Sequence, residues 1–221
     1  MNWFKKKTYP TFWKSYIESF KEKQNTSLEN IRFVVFDTET TGLDTKKDRI
    51  LSIGTITVTR NILKVSDGLE CYLKQDLFNA ETVKIHGLLK EGTYKKVSEE
   101  EAIILFLAHI KNSVLVAHHA AFDIAMINQA LKRLNLPKLK NRVLDTGHLF
   151  KKTKLDTSKK HFSLDQLSLR FNIPLHDRHT ASGDAFITAL LLVKLIGLLK
   201  KNTSNLSLNY LLQSNNRTGL L

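Results

Sequence analysis

Ile31-Arg32-Phe33-Val34-Val35-Phe36-Asp37-Thr38-Glu39-Thr40-Thr41-Gly42-Leu43 is the stretch that decides how this chain folds. Ile31 to Phe36 is short, apolar and β-branched, the composition of a buried central strand. Two carboxylates, Asp37 and Glu39, stand on or just past its end. Side chains two apart on a strand point to one face. Two carboxylates on one face repel unless a cation or a proton lies between them. Hard oxygen ligands suit Mg²⁺ or Mn²⁺. Gly42 then lets the backbone turn away or approach a ligand closely.

Working outward, Ile50 to Val58 alternates and reads as a second strand, and Ile62 to Leu73 as a third. Their close spacing predicts a three-stranded antiparallel meander. Beyond it the rhythm changes. Ser98-x-x-Glu101 is a capping-box signature ahead of the apolar helix Ala102 to Ile110. Ser113 to Ala117 reads as a strand, Phe122 to Leu134 as a helix, and Arg142 to Asp145 as a short strand. Ser163-x-x-Gln166 caps a helix from Leu164 to Phe171, and a last long helix runs from about Thr180 to Lys200. Strands first, then alternating helices and strands, predict an α/β fold with a mixed sheet covered by helices. Lys138 to Lys160 is rich in lysine, and Lys151 to Lys160 reads as a mobile loop, solvated or in contact with substrate phosphates.

The chain has 221 residues, 42% of them hydrophobic, enough for one well-buried domain with residues to spare at an end. Residues 31–200 form that domain. Residues 1–30 are a basic, aromatic-rich extension holding both tryptophans, Trp3 and Trp13. Phe12, Tyr16 and Phe20 recur every four residues, predicting a helix that packs this face on the main domain. Residues 201–221 are a short tail. One cysteine, Cys71, excludes an internal disulfide. Met1 to Phe20 has no apolar run suited to a signal peptide, and Ile187 to Leu199 is too short to span a bilayer. A cytoplasmic protein without a membrane partner is expected. The net charge of +13, with a pI near 9.7, favours a polyanionic partner.

Asp37 and Glu39 have companions in two later segments. His118-His119-Ala120-Ala121-Phe122-Asp123 puts a carboxylate at the opening of a helix that follows a strand, an ordinary place for ligand groups. Read alone, Asp123 is equally an answer to the helix dipole. His179 and Asp184 flank the start of the last helix, with His176 as a competing imidazole. Together these segments resemble the DEDDh group of 3′–5′ exonucleases, the DnaQ or epsilon-type proofreading family, over residues 31–200.

That resemblance implies an RNase H-like fold, with a mixed five-stranded sheet and helices on both faces. It implies two divalent metal ions, Mg²⁺ or Mn²⁺, held by Asp37, Glu39, Asp123 and Asp184, with Asp37 bridging both. His179 would be the general base, taking a proton from water at an ordinary pKa near ~6.5. Thr40 and Leu43 would lie near the terminal nucleotide, and His86-Gly87-Leu88 near its base. His118, His119 and Phe122 would also line the site, Phe122 from a core position behind it. Asp145-Thr146 also matches a family position, read as structural. The implied reaction releases 5′-mononucleotides from 3′ ends of single-stranded or frayed DNA. A DNA polymerase, or another replication or repair protein, is an implied partner. An exoribonuclease and a silent nucleic-acid-binding module are the alternatives. Two departures stand out. The residue after His118 is commonly Asn in the family and here is His119, and the tail is shorter than that of replicative epsilon subunits.

Overall fold

The structure of the chain is a computed structural model, describing residues 8–22, 27–76 and 94–213. His86-Gly87-Leu88 lies outside the described residues. Six strands form one sheet: β1 (Phe33–Thr40), β2 (Ile50–Thr59), β3 (Ile62–Leu73), β4 (Lys96–Val97), β5 (Val114–Ala117) and β6 (Val143–Asp145). Their order is β4-β3-β2-β1-β5-β6. β1, β2 and β3 are the antiparallel meander read from the sequence. β5 runs parallel to β1, and β6 parallel to β5. The sixth strand, β4, is a two-residue edge pairing parallel with β3. It is too short to show a periodicity, which is why the sequence predicts five.

The decisive stretch behaves as its alternation requires. Val34 and Phe36 face a core shared with helices α1 (Thr11–Glu18), α2 (Glu99–Ile110) and α3 (Ala121–Arg133). Phe33 and Val35 face the opposite core, shared with α4 (Thr146–Thr153), α5 (Leu164–Arg170), α6 (Ala181–Asn202) and α7 (Leu208–Leu212). β1 is therefore buried on both sides, and helices cover both faces of the sheet.

Several helix starts carry side-chain caps. Ser98 and Glu101 close a capping box on α2, and Ser163 and Gln166 close one on α5. Thr180 accepts the Gly183 backbone N–H at the start of α6. α6 is 22 residues long and apolar enough to cross a membrane by length and composition. It is longer than its apolar sequence run suggests, and Ile187, Leu191, Leu192, Leu195 and Ile196 are buried in the sheet-facing core.

The structure adds detail to two readings and corrects one, the mobile loop from Lys151 to Lys160. In α1 the fully packed residues are Trp13 and Tyr16, whereas Phe12 and Phe20 are partly buried beside them. Tyr16 is fixed from both sides: its hydroxyl donates to Asn141 Oδ1 at 2.6 Å and accepts from the Lys140 N–H at 2.8 Å. The basic segment is not wholly a loop. Lys151 and Lys152 end helix α4, and Lys152 Nζ donates to the Tyr210 carbonyl at 2.6 Å. The tail also contains α7, whose Leu208 and Leu211 complete the core under α6.

Candidate active site

β1 outruns its neighbour. Its parallel pairing with β5 ends at Val35↔Val116, so Asp37 to Thr40 remain paired with β2 while their other edge is left open by β5. β1 lies antiparallel to β2 and parallel to β5, and Asp37 and Glu39 stand toward its carboxyl end, the end at which open α/β sheets bind ligands. Asp37 and Glu39 share the face covered by α6. Asp184, in the first turn of α6, comes down onto them. Asp37, Glu39 and Asp184 each offer a carboxylate oxygen, and the three oxygens lie within 4.8 Å of one another.

Asp123 enters from the other side, in the first turn of α3. One of its oxygens, Oδ1, accepts the Thr38 backbone N–H at 3.0 Å and the Thr38 hydroxyl at 2.7 Å. That N–H lies past the β5 pairing, and Asp123 satisfies it. The carboxylate is thereby fixed with its second oxygen outside this pair of bonds.

The electrostatics are those of a site built for positive charge. Burial raises Asp37 well above the usual carboxylate range, and the charges of Asp123, Asp184 and Glu39 add to it. Burial lifts Glu39 to about 7, with Asp184 pushing the same way. Burial also lifts Asp123 to about 7 against the pull of the Thr38 hydrogen bonds. Asp184 is raised by burial and held back by Arg178. Its Oδ1 is buried and makes no hydrogen bond among the described residues. Converging carboxylates with an orphaned buried oxygen fit a hard divalent cation.

Two glycines make this convergence possible. Gly54 lies opposite Asp37 on β2. A Cβ there would sit 2.3 Å from backbone atoms of Ala181 and Ser182, so α6 can start directly over β2 only above a glycine. A Cβ on Gly183 would lie 2.0 Å from the Asp177 carbonyl oxygen. Gly42 is needed for a neighbour: a Cβ would meet the Asp48 carboxylate at 2.6 Å. Asp48 in turn accepts from the Thr41 hydroxyl at 2.7 Å and the Asp44 N–H at 2.8 Å, closing the turn after β1.

The other sequence-predicted residues fall at varied distances from this cluster's role. His179 is exposed, on left-handed backbone (φ 66°), one residue before the α6 cap. Thr40 is buried, its hydroxyl donating to the Gly42 carbonyl at 2.8 Å, and Leu43 beyond it is 84% exposed. Phe122 is half-buried against the α2–α3 core. His118 is engaged inside the protein. Its Nε2 lies 3.0 Å from the Phe162 carbonyl, which can only accept, so Nε2 carries the proton and Nδ1 accepts from the Thr146 hydroxyl at 2.8 Å. Burial, with the neighbouring His119, lowers His118 to about 4. His119 is exposed at φ 59°, its ring 4.3 Å from that of His118. Asp145 has a structural place: it caps α4 through the His148 N–H and accepts the Ala120 N–H at 2.8 Å, joining two turns at the sheet end.

Arg178 is a site residue that the sequence reading passed over. Its NH1 donates to Asp184 Oδ2, and its Nε to Asp165 Oδ1 at 2.6 Å. Adjacency to His179 was the available signal.

A mixed sheet of this order, with carboxylates from β1, α3 and α6 meeting at the reversal of strand direction, defines an RNase H-like nuclease fold. The profile of the exonuclease family matches residues 34–192, and the chain belongs to that family. A PolC-type DNA polymerase III from Caldanaerobacter subterraneus subsp. tengcongensis is 34% identical over 176 residues, 79% of this chain and 12% of that protein. The chain thus spans about an eighth of the PolC-type relatives it matches. The epsilon subunit of DNA polymerase III from Treponema pallidum is 29% identical over 168 residues, covering 76% of this chain and 78% of that one. Among solved structures, exonuclease X in complex with 5′ overhanging duplex DNA superposes with a TM-score of 0.58 at 23% identity, covering 76% of this chain and 91% of that one. E. coli exonuclease I in complex with a dT13 oligonucleotide gives 0.68 at 15% identity, covering 78% and 42%.

Proposed function

We propose that the protein is a metal-dependent 3′–5′ exonuclease of the DEDDh type, acting on 3′ ends of single-stranded or frayed DNA. The observation that carries this reading is the convergence of half-buried Asp37 and Glu39 with buried Asp184, with one orphaned oxygen and Asp123 alongside. Asp37, Glu39 and Asp184 would hold one Mg²⁺ or Mn²⁺. Asp123, with Asp37 between, would hold the second. When bound, such a pair activates a water and stabilises the leaving oxygen of a phosphodiester.

The chain's own groups supply the rest. His179, on the loop ahead of α6 and open to solvent, would take the proton of the attacking water as a neutral imidazole. Its exposure lets it pass that proton on. Thr38 keeps Asp123 in place, and Thr40 with Gly42 shapes the turn that carries Leu43 toward the terminal nucleotide. The net charge of +13 favours a polyanion, and the epsilon-subunit and PolC-type relatives favour DNA. A replicative or repair DNA polymerase is the corresponding partner. The second reading is an exoribonuclease, which differs in its tolerance of a terminal 2′-hydroxyl.

The test is a 5′-labelled single-stranded DNA, and a matched RNA, incubated with Mg²⁺, Mn²⁺ or EDTA, beside Asp37→Ala. The expected result is a DNA ladder that shortens one nucleotide at a time and is lost with EDTA or in the variant. Rapid loss of the RNA alone would move the assignment to an exoribonuclease. No cleavage of either, with binding retained, would leave a nucleic-acid-binding module.

A further inference from the structure

Arg178 lies where the site's reaction needs something other than an arginine. Its NH1 donates to Asp184, a carboxylate that converges with Asp37 and Glu39. Its Nε is held by Asp165, in the first turn of the capped helix α5. The guanidinium is about one-fifth exposed, the Asp184 side chain less than a tenth. A guanidinium has five N–H donors in a rigid fork and stays charged at all working pH values. The carboxylate cluster is therefore not left bare: it already holds a cation, supplied by the chain. That cation satisfies only Oδ2, leaving Oδ1 of Asp184 orphaned.

We propose that Arg178 is an exchangeable counter-ion, competing with the divalent cation for Asp184 and then, once displaced, gripping a substrate phosphate. This rests on the metal-centre reading above. A divalent cation would be held by Asp184, Asp37 and Glu39 together, whereas Arg178 pairs with Asp184 alone of the three. When Asp184 turns to the metal, Arg178 NH1 loses its acceptor. Asp165 still holds Nε, so the fork stays beside His179, at the mouth of the site. The group that restores its lost hydrogen bond is a phosphate oxygen, for which the fork geometry is suited. Metal entry and phosphate capture are then coupled through one side chain. Lysine cannot replace it fully, because a single ammonium does not reach two carboxylates as a planar fork does.

The experiment measures two quantities on the full chain. Mn²⁺ affinity is read without nucleic acid, from the spin-resonance signal of free Mn²⁺. KM and kcat are read on single-stranded DNA at saturating Mn²⁺. Removing a competing charge beside a carboxylate is expected to tighten Mn²⁺ binding by about tenfold in Arg178→Ala. KM should rise by a similar factor, since a charge-assisted phosphate contact is lost. Arg178→Lys should fall between, and carries the test alone if Arg178→Ala fails to fold by circular dichroism. Unchanged or weaker Mn²⁺ binding in a folded variant overturns the proposal, as does an unchanged KM. A wild-type protein that binds no Mn²⁺ removes the metal centre itself, and is distinguishable from both.

Discussion

At the scale of single residues, two histidines make opposite predictions. His179 is exposed on the loop ahead of α6, and in its proposed role as general base His179→Ala should lower kcat by two or more orders of magnitude. Mn²⁺ affinity of the same variant should stay within a few-fold. An unchanged kcat would transfer the role to His176 or His119. His118 is the contrary case. Folding lowers it to about 4 from an ordinary 6.5, through burial first. The folded state then binds fewer protons than the unfolded chain between those values. Its stability is full above pH 6.5 and is lost as pH falls toward 4. The loss is on the order of 2 kcal/mol after discounting for partial exposure. Urea unfolding at pH 7 and pH 4.5 should show a loss in the wild type exceeding that in His118→Gln by about this amount. Asp37 and Glu39 were legible as a pair because strand periodicity fixes which side chains share a face, whereas Asp123 and Asp184, at helix starts, were picked out by the family resemblance. The role of His118 was not legible, because its partners Thr146 and Phe162 are 28 and 44 residues away. The unexpected His119 is explained by its backbone: the left-handed conformation suits Asn best and is also tolerated by His.

At the scale of elements, the site depends on how closely α6 lies on β2. Strand and helix order could be read because apolar alternation and caps are local signals. Nothing local says that Gly54 is the floor on which α6 begins. Its contact with Ala181 and Ser182 spans more than a hundred residues, and a glycine within a strand reads only as a close approach of unknown origin. Gly54→Ala must push the first turn of α6 away, and Asp184 with it. It should cost about 1–3 kcal/mol in urea unfolding, the range for overpacking, and weaken Mn²⁺ binding by tenfold or more. A variant that keeps wild-type metal affinity would show that α6 can shift without disturbing the ligands. Gly42 teaches the same lesson: the sequence left open a turn or a close approach to a ligand, and in the structure the close neighbour is Asp48, which closes the turn after β1.

At the scale of the whole molecule, the carboxylate cluster places repulsion at the centre of the fold. Glu39 and Asp123 are both raised to about 7, so above that pH the metal-free protein carries more negative charge there than Arg178 offsets. A raised carboxylate pKa means that stability from these groups is lost as pH rises from about 4 through 7. Added Mg²⁺ or Mn²⁺ should therefore raise the melting temperature clearly at pH 8 and little at pH 5. At a metal concentration about 100 times Kd, binding contributes about 2.7 kcal/mol. For a domain of this size that is about 5–10 °C, measurable by scanning calorimetry with an EDTA control. An equal shift at both pH values would argue for binding elsewhere. The carboxylates proposed as ligands also come from widely separated positions: β1 supplies two, α3 one, and α6, begun only at Ala181, the last. A chain ending before Thr180 should lose the Mn²⁺ site that Asp37, Glu39 and Asp184 would form together. The proposed centre is thus a product of tertiary assembly: no one of β1, α3 or α6 contains it, and it exists only where all three have packed on the sheet.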